Sequence, residues 1–211
     1  MSAETKYEAQ ARTFLASYSP LRAHFDTLAS RLISRAGLPS TVVVTGPEPD
    51  TGCSSVCLGI GSAVAGMGHS AAIIDCNLDR PNLHTLLSEP NFVGLTSGLE
   101  SDRPLESQGF APVSDLLVVP TGPVPLDPFS HIRSERFVEA VRELQSSREI
   151  ILLDAPIASS LLQYPTLCED FDGVLFVVHA SRTLKSAARA ATDDLLEAGV
   201  NLLGVVLNGC P

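Results

Sequence analysis

Six short apolar runs punctuate the chain, at 41–45, 71–75, 116–119, 150–154, 174–178 and 202–207. Each is rich in Val, Ile and Leu and too short for a helix that could bury a face, so each reads as a β-strand. The runs show little apolar–polar alternation, which a strand covered on only one side would need. Helix-type segments fall between them: 56–67, rich in small residues and closed by Gly66 and Gly68, then 137–144 and 186–198. Strands alternating with helices, and buried on both faces, predict an α/β fold: a three-layer sandwich with a mainly parallel central sheet flanked by helices.

Ahead of the first run, Phe25, Leu28 and Leu32 recur at helical spacing, and Gly37 and Pro39 end the pattern. The expected organisation is therefore an N-terminal helical segment, 1–39, packing on a single domain, 40–211. With 211 residues, 45% of them hydrophobic and 18% charged, the chain suits one compact core. A formal net charge of −10 disfavours a nucleic-acid partner and a polybasic membrane contact. The absence of a long uncharged apolar run or an apolar leader predicts no direct membrane insertion and a cytoplasmic location. Five scattered cysteines, Cys53, Cys57, Cys76, Cys168 and Cys210, read as free thiols.

In parallel sheets of this kind ligands sit at the carboxyl ends of the strands. That rule puts the loop 46–55, Asp75 and Asp154 on one rim. The loop runs from a strand into a helix start, where backbone N–H groups and the helix dipole favour phosphate. Gly52, Ser54 and Ser55 fit a nucleotide-phosphate loop, with Ser54, Asp75 and Asp154 as candidate Mg²⁺ ligands and Asp75 and Asp154 as candidate catalytic carboxylates. The regular pattern G-x-x-x-x-G-K-[ST] is broken, however. Pro47 takes the first Gly position, and Cys53 stands where the phosphate-binding lysine belongs. Glu48 and Asp50 add negative charge. Only Lys6 and Lys185 are lysines, so no local substitute is at hand. A unit charge about 4 Å from another is worth ~4 kcal/mol at an effective dielectric of 20, so the exchange weakens phosphate binding and transition-state stabilisation. Loop context alone is equally compatible with a strand–helix turn that binds nothing.

The stretch AAIIDCNLDRPNLH, from Ala71 to His84, resembles the second phosphate-site motif of the bacterial tyrosine kinases of capsule and exopolysaccharide biosynthesis, L-L-I-D-x-D-L-R-x-P. Asp75, Leu78, Arg80 and Pro81 fit; Asn77 replaces the second acid and Asp79 stands at the usual Arg. The segments from Gly94 to Leu99, Leu117 to Gly122, Ser134 to Phe137, Ile151 to Pro156, and Gly204 to Asn208 are similar to further family segments in the same order.

The resemblance implies a MinD-like P-loop fold, Mg-ATP as cofactor, and tyrosine autophosphorylation of a C-terminal tail. As partners it implies a membrane polysaccharide co-polymerase or chain-length determinant protein and an active tyrosine kinase. The chain would then lie peripheral to the inner membrane through that partner. By position, Gly52, Cys53, Ser54 and Ser55 would line the nucleotide, with Asp75 and Asp154 holding or ordering Mg²⁺. The family's E-x-x-R-x-x-R self-association motif falls on Ala23, Asp26 and Ala29. The tyrosines are Tyr7, Tyr18 and Tyr164, with no cluster after the last run.

These departures point to a degenerate, non-catalytic regulator or scaffold. The alternatives are an active autokinase with an atypical loop, using Arg80, Lys185 or a partner's arginine as cation, and a MinD/ParA-type positioning ATPase. Outside the rim, Arg80 is expected to pair with a surface acid and Lys185 to lie exposed. His84, His131 and His179 read as packing or surface residues, and Asp79, Asp170 and Asp172 as loop acids.

Overall fold

A computed structural model describes residues 19–210. After a single 3₁₀ turn (Ser19–Leu21), the elements are α1 (Arg22–Ala36), β1 (Ser40–Thr45), α2 (Cys53–Gly66), β2 (Ala71–Asp75), α3 (Leu83–Leu86) and α4 (Leu95–Ser101). There follow β3 (Phe110–Val113), β4 (Leu116–Val119), α5 (Pro128–Ile132), α6 (Glu135–Leu144), β5 (Ile150–Asp154), α7 (Ala158–Leu161) and α8 (Pro165–Glu169). The chain closes with β6 (Gly173–His179), α9 (Lys185–Glu197) and β7 (Leu202–Asn208).

The seven strands form one sheet in the order β3-β4-β2-β5-β1-β6-β7. All neighbours pair parallel except β3 and β4. The three-layer α/β fold is thus present, with β1 and β5 at its centre. Successive side chains of a strand point to opposite faces, and the core divides accordingly. Val42, Val44, Ile73, Leu116, Leu152 and Val177 pack with α1, α2 and α3. Val43, Ala72, Ile74, Leu117, Leu153 and Phe176 pack with α4, α6, α7, α8 and α9. Both faces are covered along β1, β2, β4 and β5, which is why those runs are uniformly apolar; at the edge strand β7, Val205 and Leu207 are exposed.

β3 was not expected. It reads Phe-Ala-Pro-Val, and its Pro112 breaks any strand signal; proline is tolerated here because β3 lies at the sheet's edge. Helix α2 begins three residues before the expected Val56, at Cys53. Its buried residues run almost continuously from Val56 to Val64, so it carries no amphipathic period. Helix α1 buries Phe25, Ala29 and Leu32. The Phe25 ring lies so close over Gly59 of α2 that a Cβ there would overlap it. Helix α1 falls within the segment 1–39, whose residues 1–18, with Tyr7 and Tyr18, lie outside the described residues. No helix among the described residues is long and apolar enough to cross a membrane.

Candidate functional site

At the carboxyl ends of β1, β2 and β5 the structure holds a cavity of about 430 Å³. One wall is Gly46 and the loop from Glu48 to Ser55; the facing wall is Asn77 and the stretch from Asp79 to Asn82; Asp154 to Ile157 and Ser160 form the rest. Gly52, Cys53, Ser54, Ser55 and Asp154 come together there as expected. Asp75 does not line the cavity.

The loop is shaped by two glycines. Gly46 sits where a Cβ would meet the Thr51 hydroxyl and the Val177 carbonyl. Gly52 has φ 92°, and a Cβ there would overlap the Asn208 amide. Asn208, at the end of β7, donates its Nδ2–H to the Thr51 carbonyl at 2.9 Å and so ties the loop to the far edge of the sheet. Gly52 caps α2 without a side-chain hydrogen bond. The first N–H groups of α2 therefore face the cavity wall with no side-chain cap, an arrangement that suits an anion.

The cation of such a loop is replaced by a neutral group. Burial, and then the neighbouring Asp154 carboxylate, push the Cys53 thiol up to about 12. Its Sγ lies 3.4 Å from the Thr51 hydroxyl. A thiol held so far above neutrality is neither a nucleophile nor a charged ligand. All five cysteines are free.

The two rim carboxylates differ. Asp75 and Asp154 are register partners at the ends of β2 and β5, and both are buried. Asp75 Oδ1 accepts from Asn77 N at 3.2 Å, and its Oδ2 accepts from Asn82 N at 3.0 Å and Leu83 N at 3.1 Å. Its carboxylate thus closes the 76–82 loop and the start of α3. Burial raises it to about 6, against the pull of those three N–H donors. For Asp154, both carboxylate oxygens are buried without a hydrogen-bond partner. Burial first, then the Asp75 charge, push it well upward. The Ser54 hydroxyl stands beside it and acts in the opposite sense but falls short of hydrogen-bond geometry.

Buried polar groups are almost always satisfied, so a bare carboxylate lining a cavity is a donor set waiting for a partner. Asp154 and the Ser54 hydroxyl are the groups that could hold a divalent cation here, and the N–H groups at the start of α2 those that could hold phosphate oxygens. The rest of the lining opposes an anion. Glu48 has a buried, unpartnered Oε1, and Asp50 and Asp79 add two more carboxylates. Among the described lining residues Arg80 is the sole cation.

The other candidates are dispersed. Arg80 makes no ion pair among the described residues, contrary to the expected pairing with a surface acid; it is exposed at the cavity mouth, where acids of the same wall do not reach it. Lys185 is exposed at the start of α9, away from the cavity. Asp172 accepts from Thr41 N at 2.7 Å, and Asp170 lies 3.5 Å from Arg142. His131 lies 3.3 Å from Glu100. Tyr164 is buried at 1% exposure. Of the self-association positions, Asp26 pairs with Arg22 at 3.9 Å and Ala29 is buried in the core. Residues the sequence did not single out are Thr51, Asn82, Ser160 and Asn208; only Asn208, at the end of an apolar run on the same rim, carried a signal that could have found it.

No protein-family model matches the chain. It is 28% identical over 170 residues to tyrosine-protein kinase YwqD of Bacillus subtilis, covering 80% of this chain and 72% of that one. It is 27% identical over 176 residues to putative tyrosine-protein kinase CapB of Staphylococcus aureus, covering 81% and 75%. Against tyrosine-protein kinase wzc of Salmonella typhimurium, 27% identical, it spans only 24% of the relative's length. Among solved structures, the chimerical protein CapA2B2 superposes with a TM-score of 0.81 at 24% identity, covering 89% of this chain and 84% of that one. The septum site-determining protein MinD of Pyrococcus horikoshii, solved with Mg-ADP, gives 0.65 at 20% identity, covering 80% and 69%. The fold is that of the P-loop ATPases and of the tyrosine-kinase domains alike.

Proposed function

We propose that this chain, whose homologues are bacterial tyrosine kinases, is a non-catalytic member of their group: a nucleotide-pocket protein that acts as a regulator or scaffold in capsule or exopolysaccharide synthesis, through a membrane polysaccharide co-polymerase. The observation that carries the reading is Cys53. A neutral thiol occupies the position from which a lysine would bind the β- and γ-phosphates, inside a lining that holds four carboxylates and one arginine.

Phosphoryl transfer depends on positioning and on charge stabilisation, and a single well-placed cation is worth roughly 10³–10⁵ in rate. Asn77, an amide where the resemblance has its second acid, removes a candidate base for a tyrosine hydroxyl. Tyr164 is an unsuitable acceptor, because its buried hydroxyl is pushed up to about 12, chiefly by burial. Mg-ATP or Mg-ADP remains the ligand class that Ser54, Asp154 and the start of α2 fit.

The test is incubation of the purified protein with Mg-ATP, with and without its membrane partner, reading phosphotyrosine and ADP. Neither product is expected above the level given by Asp154→Asn. Phosphotyrosine that disappears in Asp154→Asn would instead establish the second reading, a working autokinase, in which Arg80, the one cation of the described lining, would have to supply the missing charge.

A further inference from the structure

A second loop of the cavity holds a charge that the first has lost. Arg80 lies on the loop between β2 and α3, lines the same cavity as Cys53, and is its only cationic lining residue among those described. Its loop is fixed rather than loose. Arg80 N donates to the Asn77 carbonyl at 3.2 Å and lies 3.3 Å from the Asn77 Oδ1. Pro81 follows, and Asn82 N and Leu83 N are held by the buried Asp75 carboxylate. Arg80 thus sits exposed on an anchored turn, and no acid among the described residues forms an ion pair with it, in a chain with a net charge of −10. Four carboxylates share the lining with it, yet none forms an ion pair with it. Across the cavity stand the uncapped start of α2 and the two unpartnered oxygens of Asp154.

We propose that Arg80 is the phosphate-binding cation of this cavity, reaching a nucleoside diphosphate from the loop after β2 and not from the loop that carries Cys53. The proposal rests on the nucleotide-pocket reading and deepens it by naming the residue that makes binding possible without a loop lysine. Guanidinium pairs with phosphate through paired N–H groups and stays charged at any physiological pH, so it substitutes for lysine in binding. From an exposed turn it is screened by water and salt, so it holds a bound phosphate without supplying the buried charge that transfer requires. Binding and catalysis are thereby separated in one pocket.

The test is calorimetry on the full chain with Mg-ADP and with adenosine as probes, at low salt. Wild type is expected to bind Mg-ADP; Arg80→Ala is expected to weaken it tenfold or more, and Arg80→Lys to retain part of the affinity. Adenosine binding should be the same in wild type and Arg80→Ala, because it lacks phosphate. Cys53→Lys in the Arg80→Ala background should restore Mg-ADP binding. Arg80 is exposed, so an unchanged melting temperature checks the fold of Arg80→Ala. Equal Mg-ADP affinity in wild type and Arg80→Ala overturns the assignment, as does a wild type that binds no Mg-ADP while Cys53→Lys does. Either result leaves the non-catalytic reading standing. Phosphotyrosine formation by wild type would overturn that reading and the separation of binding from catalysis, while the loss of Mg-ADP affinity in Arg80→Ala would still assign the phosphate contact to Arg80.

Discussion

Strands β2 and β5 are neighbours, and each ends in a buried aspartate, Asp75 opposite Asp154. The sequence makes them look equivalent, but their surroundings make them opposites. Asp75 accepts three backbone N–H groups and holds a turn together. Asp154 faces the cavity with both oxygens bare. A satisfied buried carboxylate contributes to stability, whereas a bare one costs stability and persists where a ligand compensates. Asp75 is therefore the structural carboxylate of the rim, and Asp154 the one that lines the cavity without a hydrogen-bond partner.

The sharpest way to break this contrast is truncation of Asp75. Asp75→Ala leaves three backbone N–H groups without their acceptor and is expected to cost about 3–5 kcal/mol, read as a fall in the urea midpoint. If Asp75→Ala unfolded at the wild-type midpoint, the carboxylate would have no structural role. Asp154→Asn should act with the opposite sign, raising stability at pH 8 by on the order of 1–2 kcal/mol, because a neutral amide costs less to bury unpartnered than a carboxylate. The same variant should abolish the Mg²⁺ dependence of ADP binding. A destabilised Asp154→Asn would mean that Asp154 holds the fold together after all.

Titration sharpens the contrast further. Both carboxyl groups are raised in the folded state, Asp75 from an ordinary value of 3.8 to about 6 and Asp154 upward too. The folded chain therefore binds more protons than the unfolded one in that interval, and stability must fall as pH rises. The fall should run from about pH 4 through pH 6 and continue where Asp154 titrates. Melting curves across this range should show a shallower slope in Asp154→Asn than in wild type. The smallest effect concerns the loop. Gly52→Ala forces a side chain into φ 92° and against Asn208, and should cost roughly 1–2 kcal/mol. A neutral result would mean that the loop tolerates another shape.

Six of the seven strands were legible as apolar runs; in β1, β2, β4 and β5 burial on both faces enforces this, whereas the edge strand β7 leaves Val205 and Leu207 exposed. β3 was hidden by its length and by Pro112, which is permitted only because the strand lies at the edge. The short helices α3, α5, α7 and α8, of four or five residues each, are too brief to show a helical period. At the site, the loop and both aspartates were legible from strand ends and motif order. Their division of labour was not, because hydrogen bonds from Asn77, Asn82 and Leu83 depend on how the following loop turns back. Sequence leaves Arg80 open between a surface ion pair and a phosphate contact for a related reason: its place beside a cavity is set by the turn that Asp75 closes, not by its neighbours in sequence.

A phosphate pocket whose lysine position holds a neutral thiol is expected to bind nucleotide without turning it over. Continuous measurement of ADP release from Mg-ATP, by wild type and by Asp154→Asn in parallel, bears on it most directly. Indistinguishable, background-level rates are expected for the two proteins. Release by wild type well above that of Asp154→Asn would contradict the claim.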